Sequence, residues 1–322
     1  MIRVLTYEEV KRLLPMEACI DVMAEALESL ARGEMFQPLR TVARPPEGPG
    51  FMGLMPAYRG GGQAVFALKA INVVPDNPAK RGLDAHQGGV LLSDGETGEL
   101  RALLNASAIT EIRTAAVSGV AARLLAREDS SELAILGAGV QARSHVEAMR
   151  AVRSLDRILL NSPTPGHAEE LARDVGGEAV GTAEEAVSGA DVIVTATTSR
   201  DPVVRREWLK AGVHINAVGS GIPTARELDT ATVADAALFV DRRESTLNEA
   251  GDYLIPAAEG AIGPEHIRAE LGEVLVGAAP GRTSPDELTV FKSLGIAVED
   301  LAAAQYVLRR AEQEGIGTEV RF

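Results

Sequence analysis

The chain has a single cysteine, Cys19. It cannot close an intrachain disulfide and cannot build a cysteine-based zinc site alone, which suits a reducing cytoplasm. It lies in an apolar helical pattern with Ala18, Ile20, Val22 and Met23, so it reads as a packed core thiol and not as a nucleophile. No uncharged apolar stretch is long enough to span a bilayer, so no membrane association is expected. Met1–Val10 carries Arg3, Glu8 and Glu9 without an apolar run, so no signal peptide is expected. Positive charge is scarce too: 32 Lys and Arg against 46 Asp and Glu leave a net charge of −14. Such a chain repels phosphate backbones, which excludes nucleic acid as a general partner but permits a local basic pocket for a small anion. No cluster of His, Cys and carboxylates has metal-ligand spacing, so no metal is expected. Neither a Gly-x-Ser-x-Gly hydrolase elbow nor a solenoid repeat is present.

The 322 residues suffice for two domains, and at 46% hydrophobic they can bury sizeable cores. Thr6-x-x-Glu9 reads as a capping box opening a short helix. Pro15 starts a second helix ending at Gly33, with Ile20, Met23, Ala24, Leu27 and Leu30 at helical spacing. Between residues 39 and 104, short β-like runs (41–44, 64–74, 88–92, 100–104) alternate with Gly/Pro clusters. Asp94-Gly95-Glu96-Thr97-Gly98 is the turn of an expected hairpin. A long helix follows, 106–126. After it, strands expected at 132–136, 157–161, 191–196, 213–217, 236–240 and 288–291 alternate with helical segments, which implies a parallel sheet covered on both faces. A last amphipathic helix, 294–314, is expected to pack on the first unit. The fold class is therefore α/β: a Rossmann-type doubly wound parallel sheet (113–294) inserted in a discontinuous α+β domain (1–112 and 295–322).

The sharpest local signal is Glu132-Leu133-Ala134-Ile135-Leu136-Gly137-Ala138-Gly139-Val140-Gln141-Ala142. A short apolar strand runs directly into Gly-x-Gly-x-x-Ala, and helical residues follow. Gly137 permits the tight turn, Gly139 lets the backbone approach a pyrophosphate, and Ala142 allows close helix–strand packing. The helix start then offers N–H groups and a positive dipole end to phosphates. The required strand–turn–helix context is present, so a nicotinamide dinucleotide is expected here. The next strand ends at Asn161, where an NAD site usually places Asp or Glu for the ribose 2′-hydroxyl. Without that acid nothing repels a 2′-phosphate, although the nearest candidate cation is only His167. NAD and NADP both stay open, with a slight lean to NADP.

These segments resemble the ornithine cyclodeaminase/mu-crystallin family. The likeness is carried by Met55-Pro56-Ala57-Tyr58, Glu111-Ile112-Arg113-Thr114-Ala115-Ala116, the 137–142 loop, and His214-Ile215-Asn216-Ala217-Val218-Gly219. Leu271-Gly272-Glu273-Val274 and Thr289-Val290-Phe291-Lys292-Ser293-Leu294-Gly295 extend it over nearly the whole chain. The resemblance implies a Rossmann domain paired with a substrate domain that forms a homodimer. It implies that a substrate carboxylate is held by Arg40, Lys69 and Arg113, with Lys69 as the catalytic residue. It further implies cofactor contacts from Val140, Gln141, Asn161, Thr197, Thr198 and Val218, joined by His86, Thr114 and Ser293. Arginine can grip a carboxylate with two parallel charge-assisted bonds, and lysine adds a point charge that can also exchange a proton.

Two departures narrow the activity. Ornithine cyclodeaminases carry an acid/base aspartate where this chain has Gly221, in Gly219-Ser220-Gly221-Ile222-Pro223, and a glutamate where it has Gly53. Glu227 and Asp229 come no nearer under a small shift of register, though Ser220 could order a water. Cyclodeamination needs several positioned proton transfers, each worth roughly 10²- to 10⁴-fold. Reducing an imine needs a hydride and one proton. The expectation is an NAD(P)-dependent oxidoreductase acting on the C–N bond of a small α-imino or α-amino acid, of ketimine reductase or amino-acid dehydrogenase type. An ornithine cyclodeaminase and a non-catalytic, cofactor-binding protein like mu-crystallin are the alternatives.

Overall fold

The structure, a computed structural model, describes residues 1–62 and 64–321. The chain divides into two compact units, Met1–Arg113 with Ile296–Phe322, and Thr114–Gly295. The division falls within the Ala106–Leu125 helix. That helix is apolar nearly all round, and Ala108, Ile109, Ile112, Ala115, Ala116, Val120 and Ala121 are all buried, as expected of a helix enclosed on every side.

In the first unit the sheet order is Thr318–Val320, Ile2–Leu5, Leu100–Asn105, His86–Asp94, Val65–Val73, Phe51–Arg59 and Met35–Phe36. Thr41–Ala43 also pairs with Phe51–Arg59. Its long strands are antiparallel; only Ile2–Leu5 with Leu100–Asn105 runs parallel. Side chains alternate between the two faces. Met55, Lys69, Val90 and Leu104 stand opposite one another in register and are buried. The Met16–Ala31 and Ala297–Glu314 helices pack against each other, and the latter lies on the Phe51–Arg59, Val65–Val73 and His86–Asp94 strands. Cys19 is fully buried with Ile20, Met23 and Leu27. The opposite face carries Phe36, Met52, Tyr58, Phe66, Leu68, Leu91 and Leu103, of which Phe36 and Phe66 are 65% and 49% exposed.

Several elements depart from the sequence reading. The nine-residue Phe51–Arg59 strand holds Gly53 and Pro56, the two residues that weaken a strand signal most. Pro56 is tolerated because its outer side falls between the Phe36–Tyr58 and Thr41–Leu54 pairings, where no strand needs its missing N–H. The last helix starts at Ala297, three residues later than expected. Gly295 sits at φ +70°, and Asp241 Oδ2 accepts the amides of Leu294 and Gly295 at 2.6 and 2.8 Å, holding them outside the helix. The expected hairpin turn is present. Asp94 Oδ1 accepts from the Glu96 and Thr97 amides and the Thr97 hydroxyl, and Gly98 takes φ +74°.

The second unit is one parallel sheet in the order Glu178–Ala179, Arg157–Asn161, Glu132–Leu136, Val192–Thr195, His214–Ala217, Thr289–Lys292, Ala237–Val240, Ile267–Glu270. Every pairing in it is parallel. The central strands are buried on both faces, and most of their residues are apolar, with His214, Asn216 and Lys292 among the exceptions. The two edge strands, too short or too polar to show a pattern, escaped the sequence reading. This is a doubly wound α/β unit of Rossmann type. Among the described residues no helix is long and apolar enough to cross a membrane.

Candidate active site

In the second unit the Glu132–Leu136 strand ends at Gly137, whose φ of +117° is a conformation L side chains avoid. A Cβ there would lie 2.4 Å from the Ala196 carbonyl oxygen, and the Gly137 amide donates to Asn161 O at 2.9 Å. This glycine is required by the protein's own backbone. Gly139 differs: a Cβ placed on it would meet nothing within 4 Å. Nothing inside the chain demands a glycine there, whereas the close approach of a diphosphate would. Gly139 also caps the 13-residue Val140–Val152 helix, and no side chain takes up that cap. Val140 is 56% exposed beside it, while Ala142 is buried against the sheet. These residues fit the diphosphate of a dinucleotide. His145, one turn on, lies between Ser118 Oγ (2.9 Å) and Gln141 O (2.7 Å); burial lowers its pKa to about 4, so it is a neutral packing group.

Asn161 ends the neighbouring strand, and its Nδ2 donates to Val180 O at 3.0 Å. Its side chain is thus tied to the backbone. Ser162, Pro163 and Thr164 follow, none of them acidic.

Thr197 and Thr198, Val218, and Ser293 follow the Val192–Thr195, His214–Ala217 and Thr289–Lys292 strands. These strands are neighbours in the sheet, so the four residues share its C-terminal edge, where open α/β sheets bind ligands. The backbone there is held from below by a buried carboxylate that the sequence reading set aside. Glu227 Oε1 accepts from the amide and hydroxyl of Thr197 (2.8 and 2.7 Å). Its Oε2 accepts from Thr195 Oγ1 (2.8 Å), Gly219 N (2.7 Å) and Ser220 N (3.3 Å). Asp252 Oδ1 in turn accepts the Glu227 and Leu228 amides, and its Oδ2 pairs with Lys292 Nζ at 2.9 Å. Lys292 donates to Ala217 O and Ser220 O. Burial raises the Glu227 carboxyl pKa, while Lys292 and the hydrogen bonds from Thr197 oppose the rise. The 219–223 stretch has no carboxylate of its own; Glu227 folds back beneath that turn in space, and its oxygens are spent on holding loops. The Ser220 hydroxyl, offered above as an anchor for water, donates to Ala225 O instead. At Gly221 a Cβ would meet nothing, and at Gly53 the nearest atom would be 3.5 Å away. Packing therefore leaves room for a Cβ at both positions.

The first unit gathers the other expected residues. Lys69 projects from the Val65–Val73 strand and Arg113 from the Ala106–Leu125 helix; they are 2% and 4% exposed. Both converge on Asp300, in the first turn of the Ala297–Glu314 helix. Lys69 Nζ lies 2.7 Å from Asp300 Oδ2, and Arg113 Nε lies 3.0 Å from Oδ1. Arg113 also reaches Glu299 Oε2 at 2.8 Å. Lys69 Nζ is 3.4 Å from Thr110 Oγ1, so Asp300 and Thr110 take two of its three N–H groups. Burial lowers the Lys69 pKa to about 8; Asp300 opposes the fall, while Arg113 and Arg40 add to it. Arg40, half-buried, is thus close enough to be felt. Its loop is fixed by Gln37, whose Oε1 accepts the Val298 amide at 2.9 Å. His86 opens its strand, and the protein around its ring and the charge of Lys69 lower its pKa, against Asp84. Thr114, next to Arg113 on the same helix, is buried. Sequence reasoning missed Asp300, Glu299 and Gln37; the only available hint was a pair of acids in the first turn of an amphipathic helix. Among the described residues no group of three His, Cys, Asp or Glu is placed to hold a metal.

The sequence profile described as "Ornithine cyclodeaminase/mu-crystallin family" matches residues 2–315. The chain is 43% identical over 277 residues to a ketimine reductase mu-crystallin of Mus musculus, covering 85% of each. Among solved structures it is similar to the Thermococcus litoralis Delta(1)-pyrroline-2-carboxylate reductase in complex with NADH and L-proline. That match has a TM-score of 0.94 and 39% identity, covering 99% of this chain and 100% of the other. It is also similar to an archaeal alanine dehydrogenase dimer with bound NAD, with a TM-score of 0.93, 34% identity, and coverage of 100% and 99%.

The two glycines of the turn separate by their neighbours. Gly139→Ala should fold with an unchanged melting temperature yet bind NADPH or NADH at least about tenfold more weakly, ~1.4 kcal/mol, by fluorescence titration. Gly137→Ala should lower stability by about 1–3 kcal/mol through backbone strain, seen in urea unfolding. Equal binding by wild type and Gly139→Ala would remove the diphosphate from this loop.

Proposed function

The chain belongs to the ornithine cyclodeaminase/mu-crystallin family, and from that premise we propose that it is an NAD(P)-dependent oxidoreductase for the C–N bond of a small α-imino or α-amino acid. The observation that carries the reading is the burial of Lys69 and Arg113 against one carboxylate, with Arg40 close enough to depress the Lys69 pKa. Asp300 and Glu299 answer Lys69 and Arg113 within the fold, and Arg40 brings a third cation to the same place, a set that suits a substrate carboxylate. In this reading the unit 1–113 with 296–322 holds the substrate and the unit 114–295 holds the dinucleotide.

The chemistry asks for few groups. Arg113 and Arg40 hold the substrate carboxylate and fix the neighbouring imine carbon. The nicotinamide, when bound, supplies a hydride to that carbon. Lys69 Nζ, through the N–H not taken by Asp300 or Thr110, gives a proton to the imine nitrogen; running backward, the neutral amine takes it up again. Reduction then needs charged Lys69. A lysine with a pKa of about 8 is protonated below that pH and loses its proton above it. The rate constant kcat/KM for reduction should therefore hold below pH 8 and fall as pH rises through it. The carboxylates credited with acid/base work in cyclodeaminases are replaced here by Gly53 and Gly221, and Glu227 is committed to five donors. That inventory favours the reductase.

A spectrophotometric screen tests this directly. Cyclic α-imino acids, and pyruvate with ammonia or methylamine, should oxidise NAD(P)H. Lys69→Met and Arg113→Lys should each lower kcat/KM by about 10²-fold or more. Ammonia and proline released from ornithine without net cofactor change would overturn the reading in favour of a cyclodeaminase; tight cofactor binding with no turnover on any imine would leave only a binding protein.

For the cofactor we favour NADP over NAD, because Asn161 places an amide where an acid would repel a 2′-phosphate. NADPH should give the higher kcat/KM, and Asn161→Asp should shift the NADPH/NADH ratio toward NADH by about tenfold through charge repulsion. A ratio unmoved by that substitution would sink the assignment.

A homodimer is proposed through the uncovered sheet face of Phe36, Met52, Tyr58, Phe66 and Leu68, an apolar patch of the kind that marks an interface. Phe66→Glu with Leu68→Glu should halve the mass seen by light scattering. A monomeric wild type, or a double variant that stays dimeric, would contradict this.

A further inference from the structure

Asp300 stands at the centre of the cation cluster, yet neither the motifs nor the residues considered above give it a role. It is 1% exposed and sits one residue beyond Glu299 at the start of a long helix. The two carboxylates divide their work. Glu299 faces the Arg113 guanidinium and accepts the Ile296 amide at 3.2 Å, so it serves the helix start. Asp300 turns one oxygen to Arg113 Nε and the other to Lys69 Nζ. It is the only carboxylate within ion-pair distance of Lys69 among the described residues.

We propose that Asp300 is the positioning residue for Lys69, holding its ammonium charged and aimed while the same carboxylate fixes the tilt of Arg113. The inference rests on the imine-reductase reading. The groups facing Lys69 make the case. From the Ala106–Leu125 helix come Arg113 and Thr110; from the loop after Phe36 comes Arg40; from the neighbouring strand comes His86; and from the last helix come Asp300 and Glu299. Burial, Arg113 and Arg40 all drive the proton off Lys69, and Asp300 opposes them. Asp300 itself resists protonation: burial would raise its pKa, but Arg113 and Lys69 outweigh burial and hold it below the usual carboxylate range. Across neutral pH the ion pair therefore stays intact, and Lys69 stays a proton donor in surroundings that would otherwise leave it a neutral amine.

The chain has five lysines, Lys11, Lys69, Lys80, Lys210 and Lys292, which makes the titration readable. Lysine labelled with 13C at Cε gives five resonances, and Lys69→Arg identifies one of them. In wild type that resonance should titrate near pH 8. In Asp300→Asn it should titrate at least one pH unit lower, a tenfold loss of proton affinity, while the other four stay put. The alkaline limb of kcat/KM should move down by the same interval, and Asp300→Glu should restore part of it. An unmoved Lys69 titration in folded Asp300→Asn overturns the proposal, even if turnover falls. Should that variant not fold, wild type still decides: with 13Cγ-aspartate, one carboxylate resonance must step at the pH where Lys69 titrates, and no coupled step overturns it. These titrations need no substrate. Failure of every imine to react would strike the functional reading alone, and an unmoved Lys69 would strike this one alone.

Discussion

A buried cation obliges a protein to bury an anion, and that constraint organises the unit formed by 1–113 and 296–322. Lys69 and Arg113 are nearly inaccessible, and bare charges in such surroundings would cost several kcal/mol each. The fold meets the demand with Asp300 and Glu299, both in the first helical turn, where the helix dipole already favours negative charge. Everything nearby answers to that placement. The Ala297–Glu314 helix must lie on the sheet face that Lys69 occupies, and Gln37 ties the Arg40 loop to the same helix start. Chain segments far apart in sequence are thereby fastened to one point, and the fastening is electrostatic where most of the unit's packing is apolar.

The second unit solves a similar problem in the opposite sense. There the buried anions come first. Glu227 accepts from five donors, Asp252 bridges two amides and Lys292, and Asp241 accepts the Leu294 and Gly295 amides. Loops that leave strand ends cannot satisfy their amides by pairing with each other, so carboxylates beneath them do so instead. This leaves the sheet's C-terminal edge lined by backbone and small side chains such as Thr197, Gly219 and Ser293. The overall charge of −14 is no guide to either site; what matters is which charges are removed from water and what faces them.

What could be read from the sequence follows from how local each signal is. The turn at Gly137 was legible because strand, turn and helix are contiguous and two glycine roles are written side by side. The capping box at Thr6 and Glu9 forms as expected, with the Glu9 carboxylate on the Thr6 amide at 2.8 Å, because all its parts lie within one helical turn. The alternation of the second unit was legible because strands buried on both faces are mostly apolar and short, with helical segments between them. Phe51–Arg59 was not, since Gly53 and Pro56 break its pattern and only the strands around it explain why they are tolerated. Asp300 was invisible for a different reason: its bond to Arg113 joins residues 187 positions apart, and an acid at a helix start reads as an ordinary solvated end. Glu227 suffered likewise, because no spacing rule says that a glutamate after the 219–223 turn folds back beneath it.

The distinction between reductase and cyclodeaminase rests finally on how carboxylates are used, more than on how many there are. Proton transfer needs a group that can change its charge during the reaction. Glu227 is committed elsewhere: its oxygens accept from the amides of Thr197, Gly219 and Ser220 and the hydroxyls of Thr195 and Thr197, and protonating either oxygen would strip an acceptor from that set. Asp300 is held ionised by two cations. Lys69 is the exception, with burial and its neighbours bringing its titration close to neutrality while Asp300 keeps it from going further. On the proposed reading, one exchangeable proton beside two arginines suits a reaction that moves one proton and one hydride. Ring closure with loss of ammonia moves several protons, and Gly53 and Gly221 offer no acid for them.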